Sequence, residues 1–116
     1  MLPPAEPLYR FTLLQPLSAN NLYRNVPGLG RRKTRAYKAW IAEAGWLAKL
    51  DVGAVPEPLS APIRMAVSGV ERIDLDNIKA IPDLCKRLGL IRDDKLISRL
   101  EVDRGPGPII VSIWPL

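Results

Sequence analysis

The sequence predicts an α+β fold: a single compact domain over 1–116, with a mixed small sheet and two main helices in the order β-α-β-α-β-β. Three observations carry this. The chain has 116 residues, enough for one domain with a real core. Two stretches repeat apolar residues at helical spacing, and shorter β-compatible stretches lie between them. Turn-forming Pro and Gly residues punctuate the chain between these stretches.

The first strand is expected over Tyr9 to Leu14, where Phe11, Leu13 and Leu14 sit among β-compatible residues. Gln15 to Lys33 reads as a long polar loop holding Pro16, Asn20, Asn21, Pro27, Gly28 and Gly30. Long ordered loops in small domains tend to carry function. Thr34 is the expected N-cap of a helix reaching about Leu50. Tyr37, Trp40, Ile41, Ala44, Leu47 and Ala48 recur at helical spacing and are expected to face the core.

Asp51 to Pro62 reads as a connector, and Ile63 to Val70 as a strand with Ile63, Met65 and Val67 on one face. Asp76 is the expected cap of a second helix ending near Leu88, with Gly89 at its stop. Ile78, Ile81, Leu84, Cys85 and Leu88 form its apolar stripe, and Pro82 is expected to kink or divide it. Leu96 to Val102 and Ile109 to Trp114 close the fold as strands joined by a turn at Gly105 to Pro108.

Composition narrows the chemistry. The net charge is +5 and the sequence pI is about 9.7. That balance favours an anionic partner, most often nucleic acid. Histidine is absent, which removes His-based acid–base catalysis and His metal sites. One cysteine, Cys85, makes neither an internal disulfide nor a Cys zinc cluster, and fits a reducing cytoplasm. No apolar run approaches the roughly 20 residues of a membrane span. The start of the chain shows no signal-peptide pattern.

Against this basic background, acids gather at Asp74-Leu75-Asp76-Asn77 and Asp93-Asp94, with Lys79 between them. Two like charges about 4 Å apart oppose each other by roughly 4 kcal/mol at an effective dielectric near 20. A hard divalent cation offsets that, because Mg²⁺ prefers carboxylate and water oxygens. Asp74 and Asp76, two apart after a strand, point the same way in extended backbone. A helix and a return strand would bring Asp93 and Asp94 back toward them. For Asp76 alone a cap is the stronger reading, and for Asp93-Asp94 alone a polar turn. The combination with Lys79 points to a metal site.

Phosphodiester hydrolysis needs these residue types. A carboxylate-held Mg²⁺ activates water and neutralises transition-state charge, and a lysine adds fixed positive charge. Glu101 and Asp103 alternate with Leu100 and Val102 and read as the wet face of a strand. Asp83, one helical turn beyond Lys79, is expected to pair with it.

These residues resemble the RusA-type Holliday-junction resolvases, small endonucleases of bacteria and phages. Asp74-Leu75-Asp76-Asn77 matches that family's Asp-x-Asp-Asn. The segment from Asp83 to Asp94 resembles its next block: an apolar helix, a Gly turn and an Asp-Asp pair. Pro16-Leu17-Ser18-Ala19-Asn20-Asn21-Leu22-Tyr23 resembles its early Pro-Ser-Asn-Tyr loop.

The resemblance implies an α+β, Mg²⁺-dependent homodimer, with Mn²⁺ as a substitute ion. It implies Asp74, Asp76 and Asp94 as metal ligands, Asp93 as adjacent support or a fourth ligand, and Lys79 as the catalytic lysine. There is a departure. The family places its lysine four residues after the second Asp, whereas Lys79 follows Asp76 by three. The interval from Asp76 to Asp94 is also one residue short. Bending at Pro82 is expected to restore the direction of the lysine.

Arg24, Arg31, Arg32, Lys33, Arg35 and Lys38 cluster in the loop and the start of the first helix, and only Glu6 is acidic before Glu43. Phosphate contact is the expected role. Asn21 is a further candidate contact, and Asn also shapes loops. Trp40 and Trp46 read as core or dimer surface.

The functional expectation is a Mg²⁺-dependent endodeoxyribonuclease that resolves Holliday junctions by paired symmetric nicks. It would act as a homodimer on branched DNA in a cytoplasm, bacterial or phage-borne, with no membrane partner. The rivals are a non-catalytic branched-DNA-binding protein, a nuclease for flaps or forks, a restriction-type nuclease and an RNA-binding module. The absence of a clear Glu-x-Lys after the acids argues against the restriction type, and few exposed aromatic candidates argue against RNA.

Overall fold

A computed structural model describes residues 6–15, 23–55, 57–71 and 78–116. The strands are β1 (Tyr9–Leu13), β2 (Tyr23–Val26), β3 (Gly30–Lys33), β4 (Ile63–Ser68), β5 (Ile97–Asp103) and β6 (Ile109–Pro115). The helices are α1 (Arg35–Val52), between β3 and β4, and α2 (Ala80–Arg87), between β4 and β5. A short 3₁₀ turn, Asp94–Leu96, leads into β5. The main sheet has the order β1-β6-β4-β5, with β4 and β5 parallel and the other pairs antiparallel. The domain is α+β with a mixed sheet, and its large elements follow the expected β-α-β-α-β-β order.

The addition is β2 and β3, an antiparallel hairpin inside the expected loop. Its turn is Pro27-Gly28-Leu29, closed by Leu29 N–H donating to the Val26 carbonyl at 3.0 Å. Gly28 follows Pro27 at the third position of this four-residue turn with φ +76°, the conformation a type II turn requires there. The strands were illegible because Tyr23-Arg24-Asn25-Val26 and Gly30-Arg31-Arg32-Lys33 lack the apolar alternation of a half-buried sheet.

α1 starts where Thr34 Oγ1 accepts the Tyr37 N–H at 3.1 Å. It runs past Leu50 to Val52 and stops at Gly53, whose φ is +71°. Tyr37, Trp40, Ala44, Gly45 and Ala48 are buried, on one stripe. Leu47, expected in the core, is instead exposed, because it lies off the arc set by Trp40, Ala44 and Ala48. Ile41 is half-buried.

Burial alternates along β4 and β6: Ile63, Met65 and Val67 face inward, as do Ile109, Val111 and Ile113. Phe11 and Leu13 of β1 complete that face. Fully burying one such side chain is worth about 1.5–3 kcal/mol. On the other face Arg64 lies 4.0 Å over the Trp114 ring and 3.7 Å from Glu101.

Within α2, Ile81, Leu84 and Cys85 are buried, joined by Ile78 just before it, while Leu88 is half-buried. The expected stretch is interrupted at Lys79, a turn residue between helical Ile78 and Ala80, so that α2 starts two residues ahead of Pro82. Pro82 is the third residue, in the first turn, where a missing N–H breaks no intrahelical bond. The cap expected at Asp76 lies outside the described residues. The helix closes with Gly89 N–H donating to the Lys86 carbonyl and Leu90 N–H to the Cys85 carbonyl, both at 3.0 Å. Burial pushes the Cys85 thiol up to about 12, so it stays protonated.

Among the described residues no helix is long and apolar enough to cross a membrane.

Candidate functional site

The register of the sheet decides which candidates share an end. Ile97 of β5 pairs with Ile63, the first residue of β4. Asp93 and Asp94 precede Ile97 and so lie where both parallel strands begin. Leu59 N–H bonds to the Leu90 carbonyl and Arg92 N–H to the Leu59 carbonyl, each at 2.9 Å. This ladder fixes the backbone just ahead of the two acids. The C-terminal part of α1 lies at the opposite end, where Asp51 Oδ2 accepts the Thr12 N–H at 2.9 Å. The start of α1 and the hairpin before it therefore point toward the end that holds Asp93 and Asp94.

Asp93 and Asp94 differ in their bonding. Asp93 caps the 3₁₀ turn, with Oδ1 accepting the Lys95 N–H at 3.0 Å. That backbone bond, then a side-chain hydrogen bond with Asp94, hold its carboxyl below the usual range against the opposing effect of desolvation. Nearby Lys86 and Lys95 charges add to the lowering. Asp94 is exposed, and its carboxyl shares that side-chain hydrogen bond with Asp93. Asp74, Asp76 and Asn21 lie outside the described residues. Among the described residues no three carboxylate or thiol groups gather at one point.

Lys79 immediately precedes α2 and is exposed. Its Nζ stands 5.9 Å from the centre of the Tyr23 ring, on the hairpin. The expected pairing of Lys79 with Asp83 is not formed. The Asp83 carboxylate instead accepts the Tyr37 hydroxyl at 2.7 Å and lies 3.7 Å from Lys33 Nζ. Those two partners come from α1 and β3, so one acid of α2 ties three elements together.

The hairpin has two faces, because side chains alternate along each strand. Tyr23 and Lys33 are cross-strand partners, as are Asn25 and Arg31. On this face the Arg31 guanidinium lies 3.9 Å over the Tyr23 ring, and Lys33 Nζ lies 5.8 Å from both the Tyr23 and Tyr37 rings. Tyr23 meets Tyr37 edge to face, with centroids 5.6 Å apart. The other face presents Arg24 and Arg32, directly opposite each other and both exposed. Like charges in that position destabilise a ribbon.

A second local conflict lies next to it. The first turn of α1 carries Arg35 and Lys38 and no acid, against the preference of a helix N-terminus for negative charge. A bound polyanion would relieve both conflicts.

Sequence reasoning reached the basic residues but missed Tyr23, Tyr37 and Asp83 as their support. The turn Pro27-Gly28-Leu29 between two short β-compatible runs was the available signal for the hairpin. The Tyr37–Asp83 bond joins residues too distant in the chain to leave a local signal. No protein-family model matches the chain, and no curated protein matches it.

Proposed function

We propose that this chain is a metal-dependent, structure-selective endodeoxyribonuclease of the RusA Holliday-junction type. The observation that carries the reading is the approach of Lys79 to Tyr23, which joins the candidate catalytic lysine to the basic hairpin. The Asp74-Leu75-Asp76-Asn77 motif supports it from the sequence.

In this reading Asp74, Asp76 and Asp94 hold Mg²⁺, or Mn²⁺ in its place. The donor set fits: carboxylate oxygens are the hard ligands such an ion takes, and Asp94 is exposed. Asp93 supports Asp94 by fixing the turn. When bound, the ion supplies an activated water and neutralises charge on the phosphorane-like transition state. Lys79 adds positive charge where negative charge develops. Arg24, Arg31, Arg32, Lys33, Arg35 and Lys38 hold the phosphates of the junction arms. Paired nicks in a two-fold junction call for two copies of the chain. A cytoplasmic setting, bacterial or phage-borne, belongs to the same reading.

The test is Mg²⁺-dependent cleavage of a synthetic four-way junction, beside linear duplex and a flap, with wild type and Asp76→Asn. Paired symmetric nicks in the junction alone, lost in the variant, are expected. Retained Mg²⁺-dependent nicking by the variant would overturn the metal site. Cutting of the flap in preference to the junction would move the reading to other branched DNA. Tight junction binding without cutting by either protein would favour a non-catalytic binding protein, the reading to which the short Asp76–Lys79 spacing lends weight.

A further inference from the structure

α1 carries a glycine that its packing does not require. Gly45 is buried in the middle of the helix, where glycine is less favourable than alanine. A Cβ there would lie 3.4 Å from Leu88 Cδ2 and 3.6 Å from Leu84 Cδ1, ordinary van der Waals separations. α2 therefore leaves space for a methyl group at this position. The missing methyl opens the floor of a groove of about 290 Å³ between the two helices, with Leu84 and Leu88 along one side and Gly45 and Trp46 along the other. Trp46 is 66 % exposed.

The charges around this groove have one sign. Lys49 of α1 and Arg87 of α2 line it, both exposed, and no acid lines it among the described residues. Neither makes an ion pair among those residues. Lys38 lies on the same flank of α1, three turns before Lys49, whereas Glu43 lies on the far flank of Trp46.

We infer that the groove is a docking site for an acidic peptide segment of another protein. One large apolar side chain of that segment sits over Gly45, against Trp46 and Leu88, and its carboxylates meet Lys49 and Arg87. The volume is at the lower end for a ligand pocket and suits one aromatic side chain. Trp and Arg are the residue types that most often carry binding energy at such contacts. Nucleic acid suits the groove less well, because a phosphate backbone leaves the apolar floor unfilled. A second copy also suits it poorly. The acids of α1 and α2 are Glu43, Asp51 and Asp83, and Asp51 already accepts the Thr12 N–H while Asp83 holds Tyr37 and Lys33. None of the lining residues belongs to the proposed nuclease site, so the groove stands whether or not the chain cuts DNA.

The test is fluorescence anisotropy with the full chain, free of DNA and metal, and a labelled probe peptide in which one phenylalanine has a pair of aspartates on each side. Wild type is expected to bind it with a dissociation constant below about 100 μM, and to lose it when serine replaces the phenylalanine or lysines replace the aspartates. Trp46→Ala should weaken binding at least about tenfold, as loss of an aromatic anchor does. Lys49→Glu combined with Arg87→Glu should reject the aspartate peptide and accept the lysine one. These three side chains are exposed, so folding is kept and circular dichroism checks it.

Gly45→Ala separates a seat from a packing contact. Its added methyl should weaken the probe at least about fivefold, by overfilling the seat. The same change should raise the thermal midpoint, as alanine for glycine in a helix does. A Gly45→Ala protein less stable than wild type would return the glycine to helix packing and overturn the docking site. So would a probe that shows no binding up to about 1 mM, or one bound equally well by Gly45→Ala and Trp46→Ala. Sedimentation equilibrium completes the test: copies that associate in wild type and separate in Trp46→Ala would make the chain itself the occupant and overturn the acidic partner.

Discussion

Tyr37 and Asp83 meet side chain to side chain: the phenol donates to the carboxylate at 2.7 Å. Burial, and then the Asp83 hydrogen bond and charge, hold this phenol protonated well above its ordinary range. The bond lies beneath the hairpin, beside Lys33, and braces the helix that follows Lys79.

Replacing Tyr37 with Phe removes the bond and keeps the ring. Hydrogen bonds to charged groups contribute about 1.5–3 kcal/mol, and a loss of that size is expected in urea unfolding. The pH dependence has a definite sign. An unfolded phenol titrates near pH 10 and the folded one higher, so the contribution is complete below about 10 and falls as pH rises beyond it. Tyr37→Phe should lack this alkaline decline, and urea midpoints between about pH 8 and 11 compare the two proteins.

Arg24 and Arg32 repel each other across the hairpin and would be held by phosphates in the complex. The double change to Ala should lower the slope of log affinity against log salt by about 1.8, since each phosphate contact contributes about 0.9. The hairpin should lose no stability, because a like-charge pair has been removed. Junction binding titrated from 50 to 200 mM salt, with thermal unfolding alongside, measures both. An unchanged slope would place the phosphate contacts elsewhere.

Asp93 and Asp94 should separate by function. Asp94→Asn is expected to abolish Mg²⁺-dependent cleavage while leaving junction binding. Asp93→Asn acts through the turn that presents Asp94, and its cost should be about 10–100-fold, as for residues behind a metal ligand. Single-turnover cleavage across a Mg²⁺ titration distinguishes them: excess Mg²⁺ should recover activity in Asp93→Asn and not in Asp94→Asn.

Gly69 has φ +78°, and a Cβ there would meet the Pro108 carbonyl oxygen at 2.1 Å. Gly89 has φ +76° and open space around it. Left-handed backbone costs a non-glycine residue about 1–2 kcal/mol. Gly89→Ala should cost about that much, and Gly69→Ala more than about 3 kcal/mol because backbone must also move. Equal losses in denaturant unfolding would contradict the close approach of this turn to the end of β4.

The legible parts of the fold were those written in local spacing. Thr34 marks the start of α1, and Ile63, Met65 and Val67 alternate as a half-buried strand does. Leu47 was misread because an apolar residue near an amphipathic stripe looks the same in the sequence whether it faces the core or a partner. Pro82 was legible as an interruption, since the helical stretch breaks at Lys79, three residues ahead of it. Of the site, the basic residues were legible from charge alone. Their support was not, because Tyr23, Tyr37 and Asp83 meet only once the hairpin and both helices have packed.

The order of strands carries a consequence for how the protein is made. β6 lies between β1 and β4, so two strands share a neighbour that is made after both of them. Neither β1 nor the antiparallel side of β4 has its sheet partner until β6 has left the ribosome. α1 and the hairpin can form during synthesis, but the apolar face they rest on cannot close. The nascent chain must carry Phe11, Met65 and Val67 unsheltered until β6 has been made.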